Sequence, residues 1–474
     1  MNKIVQLMAF VAISLVVSAC GQQRDNREAA PAAEFSSSGV ELSDAELDNL
    51  VRRSYQYVAL YNVNNKQADL AGGWNRQLVD TQLKDHTLKA IARPNNDTLY
   101  ITAVLDLRKE PVIMSFPAFE STYVSLMVTG YDHYVNVPLS SRKGDFVEPV
   151  TVAFYTERTE GYAGEPIKGV DRVFEMSGDL VSAILRVMPH AAEPERFKRV
   201  AAQMEASTLQ TLSEFRGGTA KPIDDLDFPP VGETDFDVFE NNLLEVMQFV
   251  FNVTSFSEDD SLDQAVLAAY RPLGIEPGKA FDPGSAVQLD GERVRAVAQG
   301  VAQEYLAMAN NAEAVAQLLL TWGAPKGKTT LDGVVAMSVL GPIGLPAEEA
   351  NYPPVVTNDG KPMNAMNDYI VRMDAGELPP AQAFWSITLY DLKDGFFIPN
   401  DRKKYSVGEN AGMRLDDEGG ITIYIAAEQP EGVPPENWLP INREDLDLSM
   451  NLRIYVPDLE RMKTWSAPRA DLIE

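Results

Sequence analysis

A chain of 474 residues, 45% apolar, 23% charged and 9% aromatic, has ordinary globular usage and exceeds what one hydrophobic core serves, so two or three domains are expected. Its formal net charge of −28 repels nucleic-acid phosphates and anionic lipid surfaces, which sets both aside as ligands. Cationic ligands or metal ions would suit that charge only where carboxylates converge, and most of it reads as a solvated acidic surface.

The chain begins "MNKIVQLMAFVAISLVVSAC". Lys3 is a short positive region, and Ile4 to Val17 is an apolar stretch too short to span a bilayer comfortably. "VSAC" resembles the lipobox of bacterial lipoproteins. The resemblance implies that residues 1–19 are a signal peptide, that cleavage precedes Cys20, and that acyl chains on Cys20 hold the protein to a membrane. Gly21, where an aspartate would signal retention, resembles the pattern sorted to the outer membrane, so the expected location is its periplasmic face. The plainer alternative is a secretory signal with a chance cysteine. Cys20 is the only cysteine; once lipidated, it leaves no thiol nucleophile, disulfide or thiolate metal site. No later segment is long and apolar enough for a membrane-spanning helix.

Residues 20–41 are small, polar and rich in Ala and Ser, which predicts a flexible tether. Ser43 with Glu46 three positions on predicts a capping box, and Leu47, Leu50, Val51, Tyr55 and Val58 recur at helical spacing behind it. From Thr98 the period becomes two. "TLYITAVLDL", "PVIMSFP", "YVSLMVTG", "YVNVPL", "PVTVAFYT", "DRVFEM" and "AILRVM" predict an antiparallel sandwich, and residues 42–190 form an N-terminal domain with a leading helix. Residues 191–345 read as helical: "EPERFKRVAAQMEASTLQTLSEF", "DFDVFENNLLEVMQFVFNV", "DSLDQAVLAAYRPL" and a long pattern from about Glu292 to Trp322. Residues 346–474 return to strands, with "NDYIVRM", "AFWSITLYDL", "GFFIPN", "ITIYIAA" and "MNLRIYVP" between turn signals.

"RPNNDTLYITAVLDLRKEPVIMSFP" and, upstream, "GGWNRQL" resemble the domain-of-unknown-function family numbered twelve-fifty-four. "GELPPAQAFWSITLYDLKDGFFIPN", followed by "YSVGE" and "NWLP", resembles the family numbered twelve-fourteen, and "GIEPGKAFD" the connection between them. The tandem resemblance covers most of residues 45–468. It implies a multidomain α+β chain: an immunoglobulin-like β-sandwich, a helical middle and a C-terminal jelly-roll-like sandwich. It implies no reaction and no cofactor, and a sandwich alone assigns neither.

Candidate site residues follow from chemistry. In "RPNNDTLY", Asn95, Asn96 and Asp97 suit an Asx turn, Pro94 biases Arg93 towards an extended backbone, and Arg93 is expected to pair with Asp97; the functional version has Arg93 and Asn96 on a ligand and Asp97 as base. In "GYDHYVNV", alternation on a strand would put Tyr131 and His133 on one face, where they could pass protons, and Asp132 with Tyr134 on the other. The three histidines, His86, His133 and His190, are too dispersed for a zinc motif, and the acidic loops lack EF-hand spacing, so no metal site is assigned. No nucleophile elbow or phosphate-binding loop occurs; "GAPKGKTT", around Lys326, has the wrong spacing. Trp385 reads as core, with a ligand-stacking platform as the alternative. Arg372 and Arg453, each inside an apolar strand, must be paired if buried, either stapling the sandwich or presenting a cation to an anionic ligand.

The leading expectation is a lipid-anchored cell-envelope protein binding a small or oligomeric ligand between its β domains, with homo-oligomerisation left open. The rival is a hydrolase or lyase using Asp97, Tyr131 and His133 as an acid–base set; a third reading is a structural partner of other envelope proteins. Whether Arg93, Asp97 and His133 converge discriminates the first two.

Overall fold

The computed structural model describes residues 42–89, 93–284, 286–308 and 322–473. The lipobox, Cys20 and the tether lie outside them. Among the described residues no helix is long and apolar enough to cross a membrane.

The expected capping box starts α1 (Asp44–Ala71): the Ser43 hydroxyl accepts the Glu46 N–H, and the Glu46 carboxylate accepts the Ser43 N–H at 2.8 Å. Gly72 ends the helix in the left-handed region, at φ 76°, which glycine adopts without a Cβ penalty. The helical spacing suggested one buried stripe, yet every residue from Ser54 to Asn65 is buried. The cause is tertiary, because later helices and the first sheet enclose α1 on several sides. Its polar residues are used as cross-ties: Asn62 Nδ2 donates to Asp235 at 2.8 Å, and Asn65 Nδ2 to the Tyr131 hydroxyl at 2.9 Å.

The N-terminal β unit is two facing sheets. One has the order β1 (Arg76–Asp80), β2 (Leu99–Asp106), β8 (Leu180–Val187), β4 (Val124–Gly130), β5 (Val135–Ser140), all antiparallel. The other runs β7 (Arg172–Glu175), β6 (Val150–Tyr155), β3 (Val112–Phe116), β9 (Thr208–Thr211). Ile101, Leu126 and Leu185 from the first sheet and Met114, Val152 and Phe154 from the second fill the space between them. The helix expected through residues 193–215 is interrupted. α2 (Pro194–Glu205) stops, β9 pairs with β3, and α3 (Leu212–Phe215) follows with its own capping box on Thr211. The β-branched Thr208 and Thr211 and the open edge of β3 outweigh the helical spacing of Leu209.

The middle helices are α4 (Asp235–Asn241), α5 (Leu243–Val253), α6 (Ser261–Tyr270), α7 (Gly291–Met308) and α8 (Leu331–Leu340). They bury Phe239, Met247, Val250, Tyr270, Ala298 and Val335 around α1. Most of the final stretch of the long pattern towards Trp322 lies outside the described residues.

The C-terminal unit is a ten-stranded, nearly closed sheet. Its backbone is β14 (Ala381–Asp391) against β18 (Asp447–Pro457), with β10 (Ala350–Asn351), β11 (Pro354–Thr357) and β12 (Met363–Asn364) also on β18. β13 (Tyr369–Met373) joins β16 (Ile421–Ala426) and β19 (Arg469–Leu472), while β15 (Ser406–Gly408) edges β14 and β17 (Trp438–Pro440) edges β16. "GFFIPN" is not a strand; it contributes one isolated bridge, Phe397 to Tyr390. The whole is the α+β arrangement expected, with N-terminal sheets, a helical middle and a C-terminal β-sandwich.

Strand alternation decides what each face of β14 does. Trp385, Ile387 and Leu389 enter the C-terminal core. Phe384, Ser386, Thr388 and Tyr390 face the other way, where Phe384 joins Tyr123, Met188, Leu345 and Tyr455 in a cluster that seals the two β units together.

Candidate functional site

The "RPNND" stretch leads into β2 and lies against that second face of β14. The Asx turn forms: Asn95 Oδ1 accepts the Asp97 N–H at 2.7 Å, and Asn95 Nδ2 donates to the Tyr455 hydroxyl at 2.8 Å. Arg93 departs from expectation. Its φ is 51°, left-handed rather than extended, and its exposed side chain makes no ion pair with Asp97 among the described residues. The backbone explains this, because the Arg93 N–H donates to Gly395 O at 2.6 Å while its carbonyl receives Arg453 Nη2 at 3.1 Å. The chain is gripped on both sides and the side chain is turned outward.

Asp97 is 1% exposed, and its Oδ2 accepts the Ser386 hydroxyl at 2.6 Å. Its Oδ1 is buried without a hydrogen-bond partner. Burial raises its pKa, and Arg453, Ser386 and Tyr455 counter that only in part. The cation beside Asp97 is therefore Arg453, not Arg93. In the β14–β18 register Arg453 stands opposite Ser386 and Tyr455 opposite Phe384, so all four share the face turned to the signature stretch. Arg453 is 5% exposed and donates to Thr388 Oγ1 at 2.8 Å and to the Tyr390 hydroxyl at 2.6 Å. Tyr390 in turn donates to Pro94 O at 2.7 Å. Burial works against the guanidinium charge, but Tyr390, Asp97 and Tyr455 outweigh it and hold its pKa above the usual value. Glu409 completes this side. It keeps an exposed flank, yet burial of its carboxyl pushes its pKa up to about 7; the Trp385 N–H, donated at 2.8 Å, opposes the shift and the Asp97 charge adds to it.

A second buried arginine approaches from the N-terminal sheet. Arg186 on β8 is 5% exposed, lies beside Tyr100 on β2 with its guanidinium 5.7 Å from the ring centre, and donates through Nη2 to Ile343 O at 2.5 Å. Its Nη1 is buried and unpartnered. Tyr352, half-buried just after β10, feels both guanidiniums: burial raises its pKa to about 12, while Arg186 and Arg453 oppose the rise. Tyr455 interacts electrostatically with Asp97, Tyr352, Arg453 and Tyr100. Arg186 with Tyr100 on one side and Arg453, Asp97 and Tyr455 on the other thus line the seam between the β units, with Tyr352 within the field of both guanidiniums.

The "GYDHY" residues do not join it. They form a turn rather than a strand end, with the His133 N–H donating to Gly130 O at 3.2 Å and His133 at φ 63°. Tyr131 goes into the helical core against Tyr61 and Phe249. His133 goes to α8 and the loop after it: Nε2 donates to Pro342 O at 2.6 Å, and Nδ1 lies 2.8 Å from the hydroxyl oxygen of Ser338, which itself donates to Val334 O at 2.8 Å. Burial, opposed by the Pro342 carbonyl, lowers its pKa to about 3, so it is neutral. Asp132 and Tyr134 do share a side, as alternation suggested, and what they face is Lys326 of "GAPKGKTT". Lys326 Nζ is 2.7 Å from buried Asp263 and 3.7 Å from buried Asp132, and 5.4 Å from the Tyr134 ring centre. Burial raises both aspartates and Lys326 partly offsets it; for Lys326 the two carboxylates overcome burial and raise its pKa.

The remaining candidates disperse. Asn96 is 9% exposed, with a buried Oδ1 that has no partner. Trp385 is core. Arg372 is exposed on β13, opposite Thr422, so it needs no partner. His86 Nδ1 meets the Tyr405 hydroxyl at 2.7 Å, and His190 Nε2 accepts the Thr122 N–H at 3.1 Å. A surface hollow of about 500 Å³, lined by Gly232, Glu233, Asp237, Asn242 and Glu245 among others, shares no residue with either cluster, and its Asp237 is bound to Arg295 at 2.9 Å. Among the described residues no group of three or more histidines, cysteines or acids could hold a metal ion. Sequence reading missed Arg186, Tyr352, Tyr455, Ser386 and Glu409. The signal for Arg186 was present in "AILRVM", an arginine inside an apolar strand like Arg453.

Comparison with known proteins agrees with this division. A model described as Protein of unknown function (DUF1254) matches residues 75–210, ending within β9. One described as Protein of unknown function (DUF1214) matches residues 349–459. The crystal structure of the VPA0106 protein from Vibrio parahaemolyticus is similar, with a TM-score of 0.68 and 23% identity over 90% of this chain and 100% of that one, and so shares the fold. A putative uncharacterized protein from Burkholderia cenocepacia aligns at a TM-score of 0.42 and 12% identity over 91% of this chain and 96% of its own. No curated protein matches.

Proposed function

For this chain, which carries a DUF1254 domain followed by a DUF1214 domain, we propose the role of a lipid-anchored cell-envelope protein that binds a small ligand in the seam between its β units. The observation that carries the binding role is the set of buried polar atoms left without partners there, Arg186 Nη1, Asp97 Oδ1 and, beside it, Asn96 Oδ1. A native fold leaves few such atoms, because each costs about 1–3 kcal/mol when nothing replaces its water. A ligand that meets them recovers that free energy, so the seam is built for an occupant rather than for packing alone. The anchoring half rests on "VSAC" and on Cys20 as the only cysteine.

The rival acid–base set loses its support, since Asp97, Tyr131 and His133 face three different surroundings and His133 is a neutral structural group. Two experiments test the reading. Small molecules released by denaturing protein purified from its own membrane should include one compound present in stoichiometric amount, and Asp97→Asn should reduce its retention without abolishing folding. Release of nothing in stoichiometric amount would count against a ligand-binding role. Separately, Cys20→Ser should move the protein from the membrane to the soluble fraction; a variant that stays membrane-bound would end the lipid-anchor reading.

A further inference from the structure

We propose that the seam selects a small organic anion and holds its carboxylate between Arg186 and Arg453. This rests on the ligand-binding reading above and adds the chemical class. Every hydrogen bond that either guanidinium gives among the described residues goes to a neutral oxygen: Ile343 O from Arg186, and Arg93 O, Pro94 O, Thr388 Oγ1 and the Tyr390 hydroxyl from Arg453. Buried arginines are ordinarily paired with acids, since an uncompensated charge away from water is costly. Here two guanidiniums act on one tyrosine, Tyr352, and the carboxylates near Arg453, Asp97 and Glu409, take their hydrogen bonds from Ser386 and the Trp385 N–H rather than from either guanidinium. The seam therefore holds two buried guanidiniums, neither hydrogen-bonded to an acid among the described residues, inside a protein whose formal net charge is −28.

The direction of the unmet groups agrees with the sign of those guanidiniums. Arg186 Nη1 is a donor with no acceptor, and a planar guanidinium is the side chain best matched to a carboxylate. Tyr100 and Tyr352 are half-buried residues of the seam, and Ile343, whose carbonyl accepts from Arg186, is half-buried too; aromatic surface beside a cation site suits an organic acid better than a hydrated inorganic ion. Asp97 on the inner side disfavours a second negative charge and sets the preference for a monoanion over a polyanion.

The test uses the full-length protein, with sodium acetate as the simplest carboxylate, acetamide as its neutral isostere and inorganic phosphate as the competing anion. Calorimetric titration and thermal unfolding should show saturable binding of acetate, none of acetamide, and weaker binding of phosphate. Arg186→Gln should lower acetate affinity about tenfold or more, the loss of one charge-assisted hydrogen bond. Arg453→Gln risks misfolding, because Arg453 also holds the Arg93 carbonyl, so Arg372→Gln serves as the second variant: it removes an exposed arginine outside the seam and should fold and keep acetate binding, which ties recognition to the buried guanidinium rather than to overall charge. Acetate and acetamide binding alike, Arg186→Gln binding acetate as the parent does, or phosphate binding more tightly than acetate would each overturn the inference. A neutral co-purified compound whose retention ignores Arg186→Gln would overturn the anion assignment and leave the ligand-binding reading standing; no co-purified compound and no acetate binding would remove both.

Discussion

Replacing His133 by asparagine should remove a specific part of the acid sensitivity of this protein. His133 is 1% exposed, and its pKa is lowered from 6.5 to about 3. A group whose folded pKa lies below its unfolded value contributes stability that is complete above the unfolded pKa and is lost as pH falls towards the folded one. The window is therefore 6.5 down to about 3. At about pH 5 the loss from this one imidazole amounts to about 2 kcal/mol relative to neutral pH. Asparagine tolerates the left-handed backbone at φ 63° and does not titrate. It should cost about 1–3 kcal/mol at neutral pH through the lost Pro342 hydrogen bond and Ser338 contact. Urea unfolding of both proteins across this range isolates the effect, because the other titrating groups are common to both and cancel in the difference. The stability gap between parent and variant should shrink by about 2 kcal/mol from about pH 7 to about pH 5. A gap constant with pH would mean that His133 titrates normally, and would return it to the list of candidate proton carriers.

Lys326→Met should destabilise the fold by about 3–5 kcal/mol in urea unfolding at neutral pH, because Asp132 and Asp263 remain buried without their cation; adding Asp263→Asn should recover much of that loss, and no recovery would show that the lysine acts through packing instead. Glu409→Gln should stabilise the protein above about pH 7 and flatten its pH dependence. The Glu409 pKa is raised from 4.5 to about 7, so its cost is absent below the unfolded value and grows as pH rises through that window. With an exposed flank, the gain is held to about 1 kcal/mol by solvent screening, and a variant less stable at about pH 8 would contradict the assignment.

The period of the sequence carried most of the architecture. Seven expected N-terminal strands form, and the capping box at Ser43 is there to the atom. β9 was not legible, since Leu209 continues a helical spacing and only the open edge of β3, a tertiary fact, makes it a strand. The same limit governs the site. Alternation on β14 correctly separated the Trp385 face from the Ser386 face, but nothing along the chain indicates that Ser386 lies opposite Arg453, nor that Asp97 arrives from 289 residues away. Arg93 and Asp97 are neighbours in sequence and look like natural partners. Two backbone hydrogen bonds from distant residues decide otherwise.

An anion site in the seam would be visible in a high-resolution crystal structure of the protein taken from its own membrane. Non-protein density within hydrogen-bond distance of Arg186 Nη1, on the side of Arg453, is the expected result. A seam in which Arg186 Nη1 meets a protein acceptor, or only ordered water, would contradict it.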